Sequence, residues 1–192
     1  MKIYLTRIKL IALVLLMSAT ASFAQGTNSR LQLKFPVNAK MSPKFKAAVE
    51  KQKAAYQKLM GWNAEIKTYT PAHMLGMIDN SPEYNYLYIA EYWIAFNYEA
   101  MIPELIKRVS NNTEIGLVET GDLVIPDRVV SGQMPYLGDS NVVEDDLFTV
   151  AGRANRLLTI ITGENFGTVP VNASPIQLKA LQDKWVEWFK TL

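Results

Sequence analysis

The stretch from Pro82 to Tyr98 constrains the fold more than any other part of the chain. Aromatic and aliphatic residues fill most of it, and the main polar interruptions are Asn85, Glu91 and Asn97. A helix that is apolar on nearly every side is buried, because each of its faces must lie against another element. We therefore expect a central helix that other helices surround.

Four Ser/Thr-Pro pairs predict helix starts, since the first residue suits the N-cap and proline suits the first turn. The pairs are Ser42-Pro43, Thr70-Pro71, Ser81-Pro82 and Ser174-Pro175. Gly61 and Gly163 are typical helix stops. Pro103 predicts a helix break near Ile102. The chain is therefore predicted to be mainly α.

A further helix is predicted between Asn141 and Gly163. Asn141 is a suitable N-cap, and Glu144 stands three residues later, as in a capping box. Asp145 and Asp146 would then lie in the first turn, where the helix dipole favours negative charge.

Residues 111–141 differ in composition from the rest, with four glycines and two prolines. Two short β-prone runs, Leu117-Val118 and Leu123-Val124-Ile125, flank the turn sequence Thr120-Gly121-Asp122. This pattern predicts one small β-hairpin or irregular loop around residues 115–140.

The first 24 residues resemble a cleavable secretory signal peptide. A basic start is followed by the apolar run Leu10–Met17 and by small residues up to Ala24. The run is much shorter than the roughly 20 residues of a spanning helix, so we expect no transmembrane segment after cleavage. Cleavage after Ala21 is an alternative. The pattern predicts export to the periplasm of a Gram-negative bacterium or secretion.

The remainder is predicted to be an extended N-terminal arm, residues 25–41, and a single helical domain, residues 42–192. The chain contains no cysteine, so a folded exported domain must be held by its core rather than by disulfides. Its length is sufficient for such a core.

Charge is distributed unevenly. Residues 25–67 carry nine basic and two acidic side chains, a net charge of +7, whereas residues 68–192 carry eight and sixteen, a net charge of −8. The basic segment is expected to dock on the acidic body, with an anionic external partner as the alternative. No nucleic-acid partner is expected.

Two stretches resemble the units of HEAT-type helical-repeat proteins. The first is the helix from Pro82 to about Glu99 with the following "AMIPELI" segment, and the second is residues 144–192, ending "ITGENFG…LQDKWVEWF". The resemblance covers about half of the chain after the signal peptide. It implies stacked helical hairpins in an α-α superhelix and a binding role, although Pro103 and Pro175 are 72 residues apart and such repeats recur at about 40.

Residues suited to catalysis or metal binding are few. His73 is the single histidine, and with no cysteine the usual zinc sites are excluded. Asp139 and the acids from Glu144 to Asp146 do not have EF-hand spacing. We predict no cofactor and no metal. Arg153 and Arg156 are expected to pair with acids such as Glu91 or Glu99.

Tyr84, Tyr88 and Tyr92 recur every four residues and form a stripe that suits either core packing or a ligand groove. Our functional hypothesis is a non-enzymatic exported module that binds a protein or glycan in the cell envelope through this stripe or through Tyr136 and Asp139 of the 111–141 segment. The alternative is a hydrolase of envelope material that uses Asp139 or His73.

Overall fold

The computed structural model describes residues 31–59, 64–136, 138 and 141–192. The predicted signal peptide therefore lies outside the described residues. Residues 33–192 form one compact unit, and its described part is mainly helical. The α-helices are α1 (Pro43–Leu59), α2 (Pro71–Asn80), α3 (Tyr84–Trp93), α4 (Tyr98–Arg108), α5 (Pro126–Val130), α6 (Val150–Thr162) and α7 (Pro175–Lys190). Two 3-10 helices, Ala64–Thr68 and Ile94–Phe96, and two strands, β1 (Leu123–Val124) and β2 (Asn141–Val142), complete it.

Three of the predicted helix starts are confirmed in atomic detail. The Ser42 hydroxyl accepts a hydrogen bond from the Phe45 N–H at 3.1 Å, and the Thr70 hydroxyl accepts one from His73 at 3.1 Å. Ser174 and Gln177 form a complete capping box at the start of α7. Each cap is satisfied by atoms three residues away, so the local sequence is enough to specify it.

The fourth predicted start is wrong by two residues, since α3 begins at Tyr84. The Pro82 carbonyl accepts from the Val118 N–H at 2.8 Å, and Tyr84 N–H donates to the Val118 carbonyl at 3.2 Å. This short bridge holds the chain extended at Pro82, and the Ser81 hydroxyl accepts from the Glu83 N–H instead of capping the helix.

The predicted break near Ile102 is also wrong. Pro103 lies inside α4, and the break comes at Asn97, between the 3-10 helix and α4. Met101, Ile102 and Leu105, which flank Pro103, are completely buried. Their burial outweighs the preference for extended backbone that proline imposes on the residue before it.

Of the β-hairpin and the irregular loop predicted for residues 115–140, the β-hairpin does not form. Strand β1 pairs in parallel with β2, Leu123 with Asn141 and Val124 with Val142, rather than with Leu117-Val118. The segment between the strands contains α5. Because parallel strands need a connection that crosses over, the turn at Thr120-Gly121 could not define this pairing.

The expected capping box at Asn141 is a further wrong prediction. Asn141 is in β2, and α6 begins eight residues later than expected, at Val150, with Thr149 as its N-cap. Asp145 and Asp146 lie before the helix and are buried. They have tertiary partners that compete with the helix start, as described below.

Helix α6 lies at the centre of the fold, where it packs against α1, α2, α3 and α4. Its buried face includes Ala151, Ala154, Leu157, Leu158 and Ile161. Gly163 ends the helix in the left-handed conformation, with φ of 72°, as the sequence predicts. Within the described residues, no helix has the length and apolar character to cross a membrane.

Arg153 of α6 is 1% exposed and has a role that the sequence did not predict. Instead of pairing with an acid, its guanidinium donates to four backbone carbonyls. These are Leu147 at 2.8 Å, Ile78 at 3.0 Å, Ser81 at 2.7 Å and Gly116 at 2.7 Å. Arg153 thus joins the end of α2, the 111–122 segment and the start of α6.

The described part of the predicted arm has no regular secondary structure up to Ser42. Phe35 packs edge-to-face on Tyr98 and Phe189, with ring centroids 5.6 and 5.9 Å apart. The Lys40 N–H donates to the Leu192 carbonyl at 2.6 Å. These contacts attach the arm to α4 and α7.

Candidate functional site

Tyrosine side chains follow one another along α3 and lead to a phenylalanine in the next turn. Tyr84, Tyr88, Tyr92 and Phe96 recur every four residues, and we call these four side chains the aromatic ladder. Ring centroids are 6.4 Å apart between Tyr84 and Tyr88, and 5.1 Å apart between Tyr88 and Tyr92. The structure therefore brings together the three tyrosines that the sequence singled out.

The ladder is partly open to solvent. Tyr88 is 38% exposed and Phe96 is 47% exposed, while Tyr84 and Tyr92 are half-buried. Other residues of α3 pack in the core instead, among them Leu87, Ala90 and Trp93, which are buried. One side of the helix thus supplies the core, and the ladder remains at the surface.

An ion pair of Glu91 and Arg156 lies beside the tyrosines of the ladder, where Glu91 acts on both Tyr84 and Tyr92. The Arg156 Nε donates to the Glu91 carboxylate at 2.8 Å, which confirms the predicted pairing of this arginine. Burial raises the pKa of Glu91, and Arg156 opposes that effect. Burial, followed by the Glu91 charge, raises the pKa of Tyr84 to about 12. Burial and a hydrogen bond with Tyr88 raise the pKa of Tyr92 as well.

The Phe96 end of the ladder meets α1. The Tyr56 ring lies 4.8 Å from the Phe96 ring, and the Lys53 ammonium lies 6.0 Å from the Phe96 centroid. Lys53 also pairs with Glu50 at 3.1 Å. A cation near an aromatic face at this distance is weakly attracted to the ring.

The remaining predicted site residues do not join the ladder. Tyr136 is 67% exposed on the segment that follows α5, and Asp139 lies outside the described residues. His73 is exposed on α2, and its ring lies 4.5 Å from that of Tyr69.

A second arrangement of polar side chains surrounds Arg128, which is 4% exposed. Its guanidinium donates to both Asp146 carboxylate oxygens, at 2.9 and 2.6 Å, and to Glu114 at 2.9 Å and Gln133 at 2.5 Å. The guanidinium carbon also lies 4.4 Å from the centre of the Phe148 ring.

A pocket of about 130 Å³ opens beside this cluster. Its lining includes Arg128, Asp146, Glu114, Asn112 and Asn172. Among the described residues, every buried side-chain nitrogen and oxygen has a hydrogen-bond partner. The Arg128 cluster is thus satisfied internally, and it links α5 to the segment before α6.

Asp145 forms a separate buried network. Its carboxylate accepts from the Val169 N–H and from the Asn155 amide, both at 2.8 Å, and the Asn155 amide oxygen accepts from the Trp185 indole at 2.8 Å. Burial raises the pKa of Asp145 to about 6, against the effect of these hydrogen bonds. The network connects α6 and α7 to the chain between them.

Sequence reasoning did not include Phe96, Tyr56 or Lys53 in the site. The four-residue spacing continues to Phe96 and could have revealed it, whereas Tyr56 and Lys53 belong to a helix far away in the sequence. In the described part of the chain, no cluster of three or more Asp, Glu or His side chains could hold a metal ion.

Comparison of the chain with models of protein families, with curated proteins and with solved structures gave no match.

Proposed function

We propose that this chain is an exported, non-enzymatic binding module whose ligand lies along the aromatic ladder. The observation that carries the proposal is the row of Tyr84, Tyr88 and Tyr92, whose neighbouring ring centroids lie 6.4 and 5.1 Å apart. Tyr88 and the following Phe96 are substantially exposed. Tyrosine combines a large apolar ring with a polar tip, which is why it is common at recognition surfaces.

Binding rather than catalysis is favoured by the state of the ionisable groups along the ladder. A tyrosine of ordinary pKa is already protonated near neutral pH, and burial moves the pKa values of Tyr84 and Tyr92 further upward, so neither phenol is activated as a base or nucleophile and both can donate and accept hydrogen bonds. The nearby Glu91 carboxylate is buried and already forms an ion pair with Arg156.

The ladder proposal is tested with purified protein on an array of defined oligosaccharides and peptides, followed by calorimetric titration of the best ligand. We expect Tyr88→Ala and Phe96→Ala each to weaken binding about tenfold or more, in the range of the more important aromatic contacts at interfaces. Tyr136→Ala is the matched control, because it also removes an exposed aromatic ring. Loss of binding in Tyr136→Ala but not in Tyr88→Ala would overturn the proposal.

Export is tested by expressing the full chain in a Gram-negative host and measuring the mass of the accumulated protein. We expect a periplasmic species that begins at Gln25, or at Ser22 if cleavage follows Ala21. Retention of the uncleaved chain in the cytoplasm would contradict this part of the proposal.

For the architecture, we propose stacked helical hairpins of the HEAT type. The packing of both α3 and α4 on α6 supports the stacking of helices, but α3 and α4 make little contact with each other. The hydrogen bond from Trp185 to Asn155 joins α7 to α6. An experimental structure in which consecutive helices do not run antiparallel would exclude it.

A further inference from the structure

The aromatic ladder is long enough to contact several units of a polymer. Tyr84 and Phe96 are twelve residues apart, which corresponds to about 18 Å along a helix. Four residues exceed one helical turn by about 40°, so the ladder also winds around the helix. It begins beside the Glu91–Arg156 pair, against α6, and ends against α1.

The tyrosines of the ladder follow one another with neighbouring ring planes inclined at 48° and 78°, so a ligand made of successive units can meet them one ring at a time. The face of an aromatic ring carries partial negative charge, and the C–H groups on a pyranose face carry partial positive charge, so the two surfaces stack. Phenol groups at the edges of the rings can bond to sugar hydroxyls. A polysaccharide therefore suits the length of the ladder and its mixed apolar and polar character better than a compact ligand does.

The two ends of the ladder differ in their charged neighbours. At Tyr84, the negative potential of Glu91 and Asp122 is opposed by Arg156. The other end meets α1, which carries five lysines and a single acid, Glu50. Lys46 and Lys53 are two turns apart and therefore share one face of α1, and Lys53 is the cation over the Phe96 ring.

Most of the described α1 lysine side chains have no ion pair with the acidic body. Of Lys44, Lys46, Lys51 and Lys53, the α1 lysines whose side chains are described, Lys44 alone pairs with an acid outside its own helix, Glu164 at 3.2 Å. Lys53 pairs with Glu50 of the same helix, and 71% of the Glu50 side chain is exposed. An exposed pair of this kind contributes little stability, so an incoming anion can replace Glu50.

We infer that the ligand of the ladder is an acidic polysaccharide, with neutral ring faces stacked on Tyr84 and Tyr88 and an anionic group beside Lys53 and Lys46. This inference rests on the proposed function, because it names the class of ligand that the ladder binds.

The test compares acidic oligosaccharides with neutral counterparts that have the same sugar rings. Uronate tetrasaccharides are paired with their methyl esters, and sulfated tetrasaccharides with their desulfated forms, in calorimetric titrations at low and high salt. At least one acidic probe should bind about tenfold more tightly than its neutral form, and high salt should reduce this difference.

Variants of α1 locate the anionic group. Lys53→Gln should weaken binding of the acidic probe about threefold to fivefold, and Glu50→Gln should strengthen it, since it removes a competing carboxylate. Lys179→Gln is the matched control, because Lys179 is also an exposed lysine that pairs with an acid on its own helix, Asp183. It should leave the affinity for both the acidic and the neutral form unchanged.

The outcomes separate this inference from the proposed function. Equal affinity for acidic and neutral probes, or an unchanged affinity in Lys53→Gln, would contradict the inference of an acidic ligand but not the proposal that the ladder binds a ligand. Binding of array peptides alone, or of no probe, also overturns that inference. Unchanged binding in both Tyr88→Ala and Phe96→Ala would overturn the proposal that the ladder is the binding site.

Discussion

Replacing Asp145 with asparagine tests whether a buried carboxyl group limits the stability of this fold at neutral pH. Asp145 is 7% exposed, and burial raises its pKa from 3.8 to about 6 although Val169 and Asn155 donate hydrogen bonds to it. Asparagine keeps one oxygen in the same position to accept from both donors, but it carries no charge.

The size and sign of the effect follow from the pKa shift. A shift of about two units corresponds to about 3 kcal/mol, because one unit is 1.36 kcal/mol. The folded protein holds this proton more tightly than the unfolded chain does, so the free energy of unfolding falls as pH rises. The contribution is fully present below pH 3.8 and is lost as pH rises through about 6.

The assay is urea unfolding of the wild type and of Asp145→Asn, followed by circular dichroism at several values from about pH 4 to about pH 7. Subtracting the two stabilities cancels the other titrating groups. We expect the stability of the wild type relative to the variant to fall by about 2 to 2.5 kcal/mol over this range, since part of the full contribution is already lost at pH 4.

The control is Asp183→Asn, which neutralises an exposed aspartate beside Lys179 and should change stability by a few tenths of a kcal/mol. A difference between wild type and Asp145→Asn that stays constant with pH, or that rises with it, would refute the reasoning.

Two further predictions concern the start of α6 and are checked by the same unfolding measurement. A Cβ at Gly152 would lie 2.0 Å from the Asp146 carbonyl oxygen, so Gly152→Ala should destabilise the fold by about 3 kcal/mol or more. By contrast, a Cβ at Gly76 in α2 meets no atom within 4 Å, and Gly76→Ala should stabilise the fold by about 0.5–1 kcal/mol. Equal effects of Gly152→Ala and Gly76→Ala would contradict this reasoning. Asp146→Ala should destabilise by about 3–5 kcal/mol, because it removes the buried partner of Arg128, and a loss below about 1 kcal/mol would show that Glu114 alone satisfies this arginine.

The sequence predicted the row of tyrosines in the ladder but not its exposure to solvent. The four-residue spacing of Tyr84, Tyr88 and Tyr92 placed these side chains in one row, as the structure shows. Spacing does not reveal which side of a helix faces solvent when all of its sides are apolar. The exposure of Tyr88 and the approach of Tyr56 to Phe96 depend on where α1 and α6 pack.

The mainly helical fold class and three helix starts followed from the sequence by itself. Ser42, Thr70 and Ser174 cap their helices with groups three residues away, and Gly163 ends α6 through its own backbone conformation. These features depend on local geometry, so distant parts of the chain do not alter them.

Tertiary structure decided the features whose partners are distant in sequence. Asp146 pairs with Arg128, eighteen residues away, and Asp145 accepts from Val169, twenty-four residues away, so neither takes part in the predicted first turn. Pro82 is likewise held by Val118, and Arg153 binds carbonyls up to 75 residues away. A buried charge or backbone group must find a partner wherever the fold places one, and that requirement outweighed the local capping preference of the same residues.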